Sequence, residues 1–223
     1  MRFLIKKKVT LLFCIFAFSA NPLFAQGTQA ENNHFKIAQS MFGEGAYANA
    51  AQEFKQFIIN FPTSERLPDA LLQLGEAYAR GNQSQEAIEA YQQFIDRYPS
   101  HFAVASAMRS KAQALEQIQE YNKAGQAYEN VHASYPEGEY AVQDLLSAGR
   151  NYHLGQNLEA SERAYSFLIR QYPQSPLVHE AVYNLGRVLL DDQRTEEALI
   201  QFKAIVDFSG TTERKPDALL DIG

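Results

Sequence analysis

The chain is poor in the groups that reactive chemistry needs. Its single cysteine, Cys14, lies in an apolar stretch near the N-terminus. With that stretch removed there is no thiol for a disulfide, a metal thiolate or a nucleophile. The five histidines, His34, His101, His132, His153 and His179, have no metal-ligand spacing such as HExxH. Neither GxSxG nor the phosphate-binding GxxxxGKS/T occurs. Asp191-Asp192 and Glu196-Glu197 flank one turn and read as a solvated turn and the acidic first turn of a helix, not as a catalytic pair. The chain is therefore expected to be no enzyme, with no catalytic residue, no cofactor and no metal.

Positive charge is scarce as well. The net charge is −6, and four of the twenty basic residues are Arg2, Lys6, Lys7 and Lys8. Without these, 16 basic residues face 26 acidic ones, a net −10. An acidic body without a basic patch excludes nucleic-acid backbones and anionic membrane surfaces as partners. Long apolar runs are missing too. Val9 to Ala20 falls short of the ~20 residues of a membrane-spanning helix. Preceded by the basic cluster and followed by Leu23-Phe24-Ala25, it reads as a signal peptide over 1–25, cut at Ala25/Gln26, with an uncleaved anchor as the alternative. Phe13 before Cys14, where a lipoprotein carries a small residue, favours a soluble exported chain with no membrane span after cleavage. Residues 26–33, polar and aperiodic, are expected to form a flexible linker.

What the chain has in abundance is repetition. Phe61-Pro62, Tyr98-Pro99, Tyr135-Pro136 and Tyr172-Pro173 stand 37 residues apart. The same interval relates a small column (Ala38, Gly75, Ala112, Gly149, Gly186, Gly223), a second one (Ala50, Ala87, Ala124, Ser161, Ala198) and an aromatic one (Phe54, Tyr91, Tyr128, Tyr165, Phe202). Within 67–103, Leu71, Leu74 and Tyr78 recur at helical spacing and Gly81-Asn82 breaks the run. Ala87, Tyr91, Phe94 and Ile95 then resume it until Tyr98-Pro99 ends it. Each unit is thus a helix pair, and the pattern predicts an all-α array over 34–223. Its units lie near 34–66, 67–103, 104–139, 140–176 and 177–214, with a partial sixth at 215–223. The third is the least regular: Lys111 replaces the leucine of Leu74 and Leu185, and His132 the isoleucine of Ile58, Ile95 and Ile169. In the fifth the motif decays to Phe208-Ser209-Gly210. Lys215-Pro216-Asp217 repeats the helix start at Leu67-Pro68-Asp69. The sixth unit stops at Gly223 with Leu219, Leu220 and Ile222 uncovered, so further chain is expected beyond it.

Leu71, Leu74, Gly75, Tyr78, Ala87, Tyr91 and Pro99 together resemble the tetratricopeptide repeat (TPR) consensus. The resemblance implies a right-handed α–α superhelix of five helix pairs plus the start of a sixth. Two features depart from the common pattern. The period exceeds the usual ~34 residues, with the three extra residues falling after the proline. A consensus alanine is replaced by Phe57, Phe94, Val131, Leu168 and Ile205. Both resemble a periplasmic bacterial subset that includes the repeat domain of the Tol–Pal coordinator and the TPR lipoprotein of the outer-membrane β-barrel assembly machine.

By that resemblance the first helices line a concave groove that contacts a protein or peptide partner. The matching positions include Glu76, Arg80, Arg109, Gln113, Arg150, His153, Tyr183 and Arg187. Arg150 and Arg187 share a column. They either fork onto a partner carboxylate or stand as solvated arginines, each paired with a nearby acid. The leading expectation is a scaffold of the bacterial envelope, in the periplasm or on the periplasmic face of the outer membrane. It would serve outer-membrane assembly or Tol–Pal-type coordination. A self-associating assembly protein, or the recruiting module of a longer enzyme, is the alternative.

Overall fold

A computed structural model describes residues 22–207 and 215–222. The leader residues 1–21, residues 208–214 with the decayed motif at Phe208-Ser209-Gly210, and the final Gly223 lie outside them, as do the side chains of residues 22–28, Leu219 and Ile222. The described residues form eleven helices and no strand. First helices are α1 (Pro22–Gly43), α3 (Leu67–Arg80), α5 (Val104–Gln117), α7 (Ala141–Leu154), α9 (Val178–Asp191) and α11 (Lys215–Ile222). Second helices are α2 (Tyr47–Asn60), α4 (Ser84–Arg97), α6 (Tyr121–Ser134), α8 (Leu158–Gln171) and α10 (Thr195–Asp207). From α3 onward the first helices begin 37 residues apart, as do the second helices from α2. Each helix packs on the next in sequence, giving the helix-pair solenoid that the columns predict.

The columns state how the pairs close. Phe54, Tyr91, Tyr128, Tyr165 and Phe202 are all buried, and three of them lie against the glycine of their own unit. A Cβ on Gly75, Gly149 or Gly186 would stand 2.7, 2.6 or 2.5 Å from the ring of Tyr91, Tyr165 or Phe202. No side chain fits there without moving the helices apart. Phe57, Phe94, Val131, Leu168 and Ile205, the residues that replace the consensus alanine, have no or almost no exposure. They form the core between successive units.

Two turns repeat with the helices. At the ends of α1, α3, α5, α7 and α9 one residue takes the left-handed conformation: Gly45, Asn82, Gln119, Gln156 and Gln193, with φ from 58° to 79°. The bonds Asn82 N–H to Ala79 O and Gln83 N–H to Tyr78 O, at 3.2 and 2.8 Å, mark a Schellman closure. It recurs in every later full unit. The break expected at Gly81-Asn82 thus belongs to Asn82, since Gly81 has an ordinary φ of −81°. Second helices end on Phe61, Tyr98, Tyr135 and Tyr172, held out of helical geometry by the proline that follows. Each is followed by two successive turns, closed by bonds such as His101 N–H to Tyr98 O and Val104 N–H to His101 O, both 3.0 Å. These loops accommodate the three extra residues of the long period.

One boundary differs from the sequence reading. The linker expected over 26–33, before a first helix beginning near His34, is helical throughout, because α1 runs from Pro22. Its polar residues find partners: Gln29 donates to Asn33 one turn on, and the Ser64 hydroxyl, in the loop after α2, donates to Glu31 at 2.5 Å. The helix is seeded downstream, where Phe35 and Ala38 are buried against α2, and extends backward through residues with no strong objection to it.

Candidate partner-binding groove

Two adjoining cavities open on the side of the first helices. One, of about 410 Å³, lies between α3 and α5 and is bounded by Glu76, Ser106, Ser110 and Gln113. The other, of about 480 Å³, lies between α5 and α7 and shares Ser106, Ser110 and Gln113, adding Arg109, Glu116 and Arg150. The small hydroxyls of α5 floor both, so they form one polar trough across three successive first helices.

Two tyrosines of the aromatic column, Tyr91 and Tyr128, line this trough from below. The Tyr91 ring passes Gly75, and its hydroxyl meets Ser110 of the next unit. Tyr128 donates to Glu116 at 3.5 Å, and Tyr165 meets Asn184. Burial pushes the Tyr91 hydroxyl up to about 12 and raises Tyr128 and Tyr165 further. All three therefore stay protonated through the physiological range, and Tyr128 donates its proton to Glu116. The end units carry Phe54 and Phe202 at the same position and place no hydroxyl there. The repeat register groups all five as one aromatic column; the separation of Tyr from Phe within it was the available signal.

Charges in the trough are largely neutralised within the chain. Arg109 Nε donates to both Asp144 oxygens, at 2.8 and 3.0 Å, and its guanidinium lies 4.8 Å from the Tyr140 ring centroid. Asp144 is only 1% exposed, which makes this the one deeply buried ion pair among the described residues. Burial raises its carboxyl above the ordinary range and outweighs the opposing pull of Arg109. Glu116 accepts from Arg150 at 3.0 Å and from Asn151 at 3.3 Å. Asn151 is fully buried and its own Oδ1 has no partner. Gln113, exposed at the centre of the trough, uses its amide in no hydrogen bond among the described residues.

Of the eight residues singled out in the sequence, Glu76, Arg109, Gln113 and Arg150 come together around the trough. The other four line neither cavity. Arg80 pairs with Glu76 at 2.7 Å and turns back over the rings of Phe42 and Tyr47. His153 meets Asp191 at 2.6 Å across α7 and α9. Tyr183 is buried and accepts from Arg187 at 3.4 Å. Arg150 and Arg187 are engaged separately within the chain, by Glu116 and by Tyr183.

Asp144 escaped sequence reading, yet it carries a signal. It interrupts a column of alanines, Ala70, Ala107, Ala181 and Ala218, while Arg109 interrupts the apolar column Phe35, Leu72, Leu146 and Tyr183. Two exchanges of opposite charge, one unit apart, mark a pair. No group of three or more His, Cys, Asp or Glu among the described residues could hold a metal ion. No described helix is long and apolar enough to cross a membrane.

Models of the tetratricopeptide repeat match residues 33–64 and 69–101, and again 152–216, more than half of the chain. The chain belongs to the tetratricopeptide repeat family. The unmatched interval between these stretches contains Arg109, Lys111 and Asp144, the residues that leave their columns. No curated protein matches the chain. Among solved structures, residues 41 to the end of MamA from Desulfovibrio magneticus RS-1 are 21% identical, with a TM-score of 0.58 over 84% of this chain and 97% of that one. Another crystal structure of MamA is 19% identical, with a TM-score of 0.62 over 85% and 96%. YrrB, a TPR protein described as having an unusual peptide-binding site, is 14% identical, with a TM-score of 0.58 over 88% and 95%. At these identities the likeness carries the fold. TPR arrays are in general protein-interaction scaffolds, and this chain has that architecture throughout its described residues.

Proposed function

We propose that this TPR protein is a non-enzymatic scaffold of the bacterial cell envelope, exported by its leader, that binds a partner-protein segment in the trough over α5. The observation that carries this reading is the trough itself. It is continuous across α3, α5 and α7, floored by serines and centred on an uncommitted glutamine amide. Since Arg109 and Arg150 are already paired, recognition rests on hydroxyl and amide bonds to a peptide backbone, with the charges orienting the segment. The peptide-binding site described for YrrB is consistent with such a use of the fold. A role in outer-membrane assembly or Tol–Pal-type coordination follows from the compartment and the long period.

Photo-crosslinking from position 113 tests the trough, with position 52 on the exposed side of α2 as the control. The expected result is one adduct, identified by mass spectrometry, from 113 only. Its segment should then bind the purified protein and lose about tenfold affinity with Gln113→Arg, a loss of about 1.4 kcal/mol. Equal adducts from both positions, or none, would remove the trough from the account. N-terminal sequencing of the exported protein checks the cut at Ala25/Gln26. Light scattering separates a partner scaffold from a self-associating one, since a strict monomer counts against self-association.

A further inference from the structure

A second row of cavities lies on the side of the second helices and has no part in the trough. One is lined by α2, α3 and α4, the next by α4, α5 and α6, and the third by α6, α7 and α8. They are one site repeated. Lys111, Leu115, Lys123, Gln126, Ala127 and Asn130 of the middle cavity each stand 37 residues after a lining residue of the first. Their chemistry nevertheless changes. Leu74, Glu86 and Glu89 of the first cavity become Lys111, Lys123 and Gln126 in the middle one. The middle cavity is also the largest, about 410 Å³ against about 270 and 250 Å³.

Lys111 is the unusual group. It occupies a position that is Ile37, Leu74, Ala148 and Leu185 in the other units. Half-buried there, its ammonium donates to the neutral amide oxygen of Gln92, and no carboxylate among the described residues pairs with it. The other lining cation, Lys123, is already held by Glu120 at 3.2 Å. A partly desolvated ammonium with only an amide partner favours an incoming anion. Around it the walls are apolar, with Ile88, Leu115, Ile118 and Ala127, and Ile118 remains 38% exposed. At the rim the Gln85 amide and the Asn130 NH2, whose own oxygen accepts from Gln126 at 3.3 Å, offer bonds suited to a peptide backbone.

We propose that this cavity binds the free C-terminal end of a peptide or partner protein whose last residue is apolar. The apolar side chain enters between Ile88 and Ile118, the terminal carboxylate meets Lys111, and the rim amides hold the preceding peptide group. A fatty acid would satisfy the ammonium and the walls but leave those amides unused. The site is independent of the trough over α5, so either can fail alone.

The probe is a fluorescein-labelled pentapeptide ending in Ala-Leu, as free acid and as C-terminal amide, titrated against the full chain by anisotropy. The expected result is at least about tenfold tighter binding of the acid. Lys111→Leu, which restores the residue of Leu74 and Leu185 and so should fold at least as well, is expected to bring the acid down to the amide's affinity. Gln113→Arg in the trough should leave both affinities unchanged. Four outcomes would overturn the proposal. These are no binding up to about 1 mM, equal affinity for acid and amide, a preference that survives Lys111→Leu, and displacement of the peptide by octanoate at equal affinity.

Discussion

The joint between α5 and α7 and the joint between α7 and α9 are built from the same positions and solved differently. In the second, Leu146 of α7 and Ala181 of α9 belong to an apolar cluster with Tyr183 and Val188. In the first, 37 residues earlier, Arg109 and Asp144 take those places and meet as a bidentate ion pair. Helix lengths and turns are the same at both joints. The fold therefore does not require the ion pair. A buried pair of this kind is seldom more stabilising than the apolar pair it replaces, because desolvation offsets the attraction. What it adds is charge at the trough, in the interval where the chain departs from its own repeat.

Breaking the pair from one side should give the largest effect. Arg109→Leu leaves the Asp144 carboxylate buried and unpaired, and a loss of about 3–5 kcal/mol is expected in urea unfolding near neutral pH. Leu146→Ala at the apolar joint creates a cavity and should cost about 2–5 kcal/mol, with no dependence on pH. The Arg109→Leu loss should shrink in acid, because a protonated carboxyl is cheaper to bury. Equal losses at both pH values would show that Asp144 is not charged in the native chain.

Restoring the column is the second test. Arg109→Leu with Asp144→Ala gives the α5–α7 joint the residues of its neighbour, and the double variant should match wild type or exceed it by about 1–4 kcal/mol. The two singles and the double complete a cycle, and their strong non-additivity would assign the effect to the pair. A double variant as unstable as Arg109→Leu alone would mean that the joint needs its charges for packing.

The wild-type pH dependence is a smaller effect with a definite sign. Asp144 has a native pKa raised above its ordinary 3.8, so the native state binds its proton more tightly than the unfolded chain does. That group's contribution is therefore most favourable below 3.8 and is lost as pH rises through the raised native value. Subtracting the double variant's stability curve from the wild-type curve isolates this term, which should fall with rising pH across that window. A difference that rises instead would place the native pKa below the ordinary value.

How far the sequence could be read follows the same contrast. Helix starts from α2 to α11 follow a 37-residue register because each unit packs like its neighbours, so one well-marked unit locates the rest. Local composition misled only where no unit lies on one side, at 26–33, where packing of Phe35 and Ala38 extends a helix through residues that look like linker. The groove side chains were partly legible. Arg109 and Arg150 could be placed on the right face, but their partners, Asp144 and Glu116, lie about one repeat away, and column statistics do not say which charges meet. Tyr91 and Tyr165 were legible as core and not as polar contacts, since only the close passage over Gly75 and Gly149 brings their hydroxyls to Ser110 and Asn184 of the next unit.

The smallest expected effect is one that both joints should share. Gln119 closes α5 and Gln156 closes α7, each in the left-handed conformation with φ near 60°. A non-glycine residue there costs about 1–2 kcal/mol through its Cβ. Glycine removes that strain but gives the unfolded chain about 0.5–1 kcal/mol of extra freedom. Gln119→Gly and Gln156→Gly should each therefore gain about 0.5–1 kcal/mol, the first unit's Gly45 already having this solution. Because the turn is common to both joints, the two gains should be equal within error and insensitive to pH. Unequal gains would trace part of the difference between the joints to their turns, whereas equal gains leave Arg109 and Asp144 as its source.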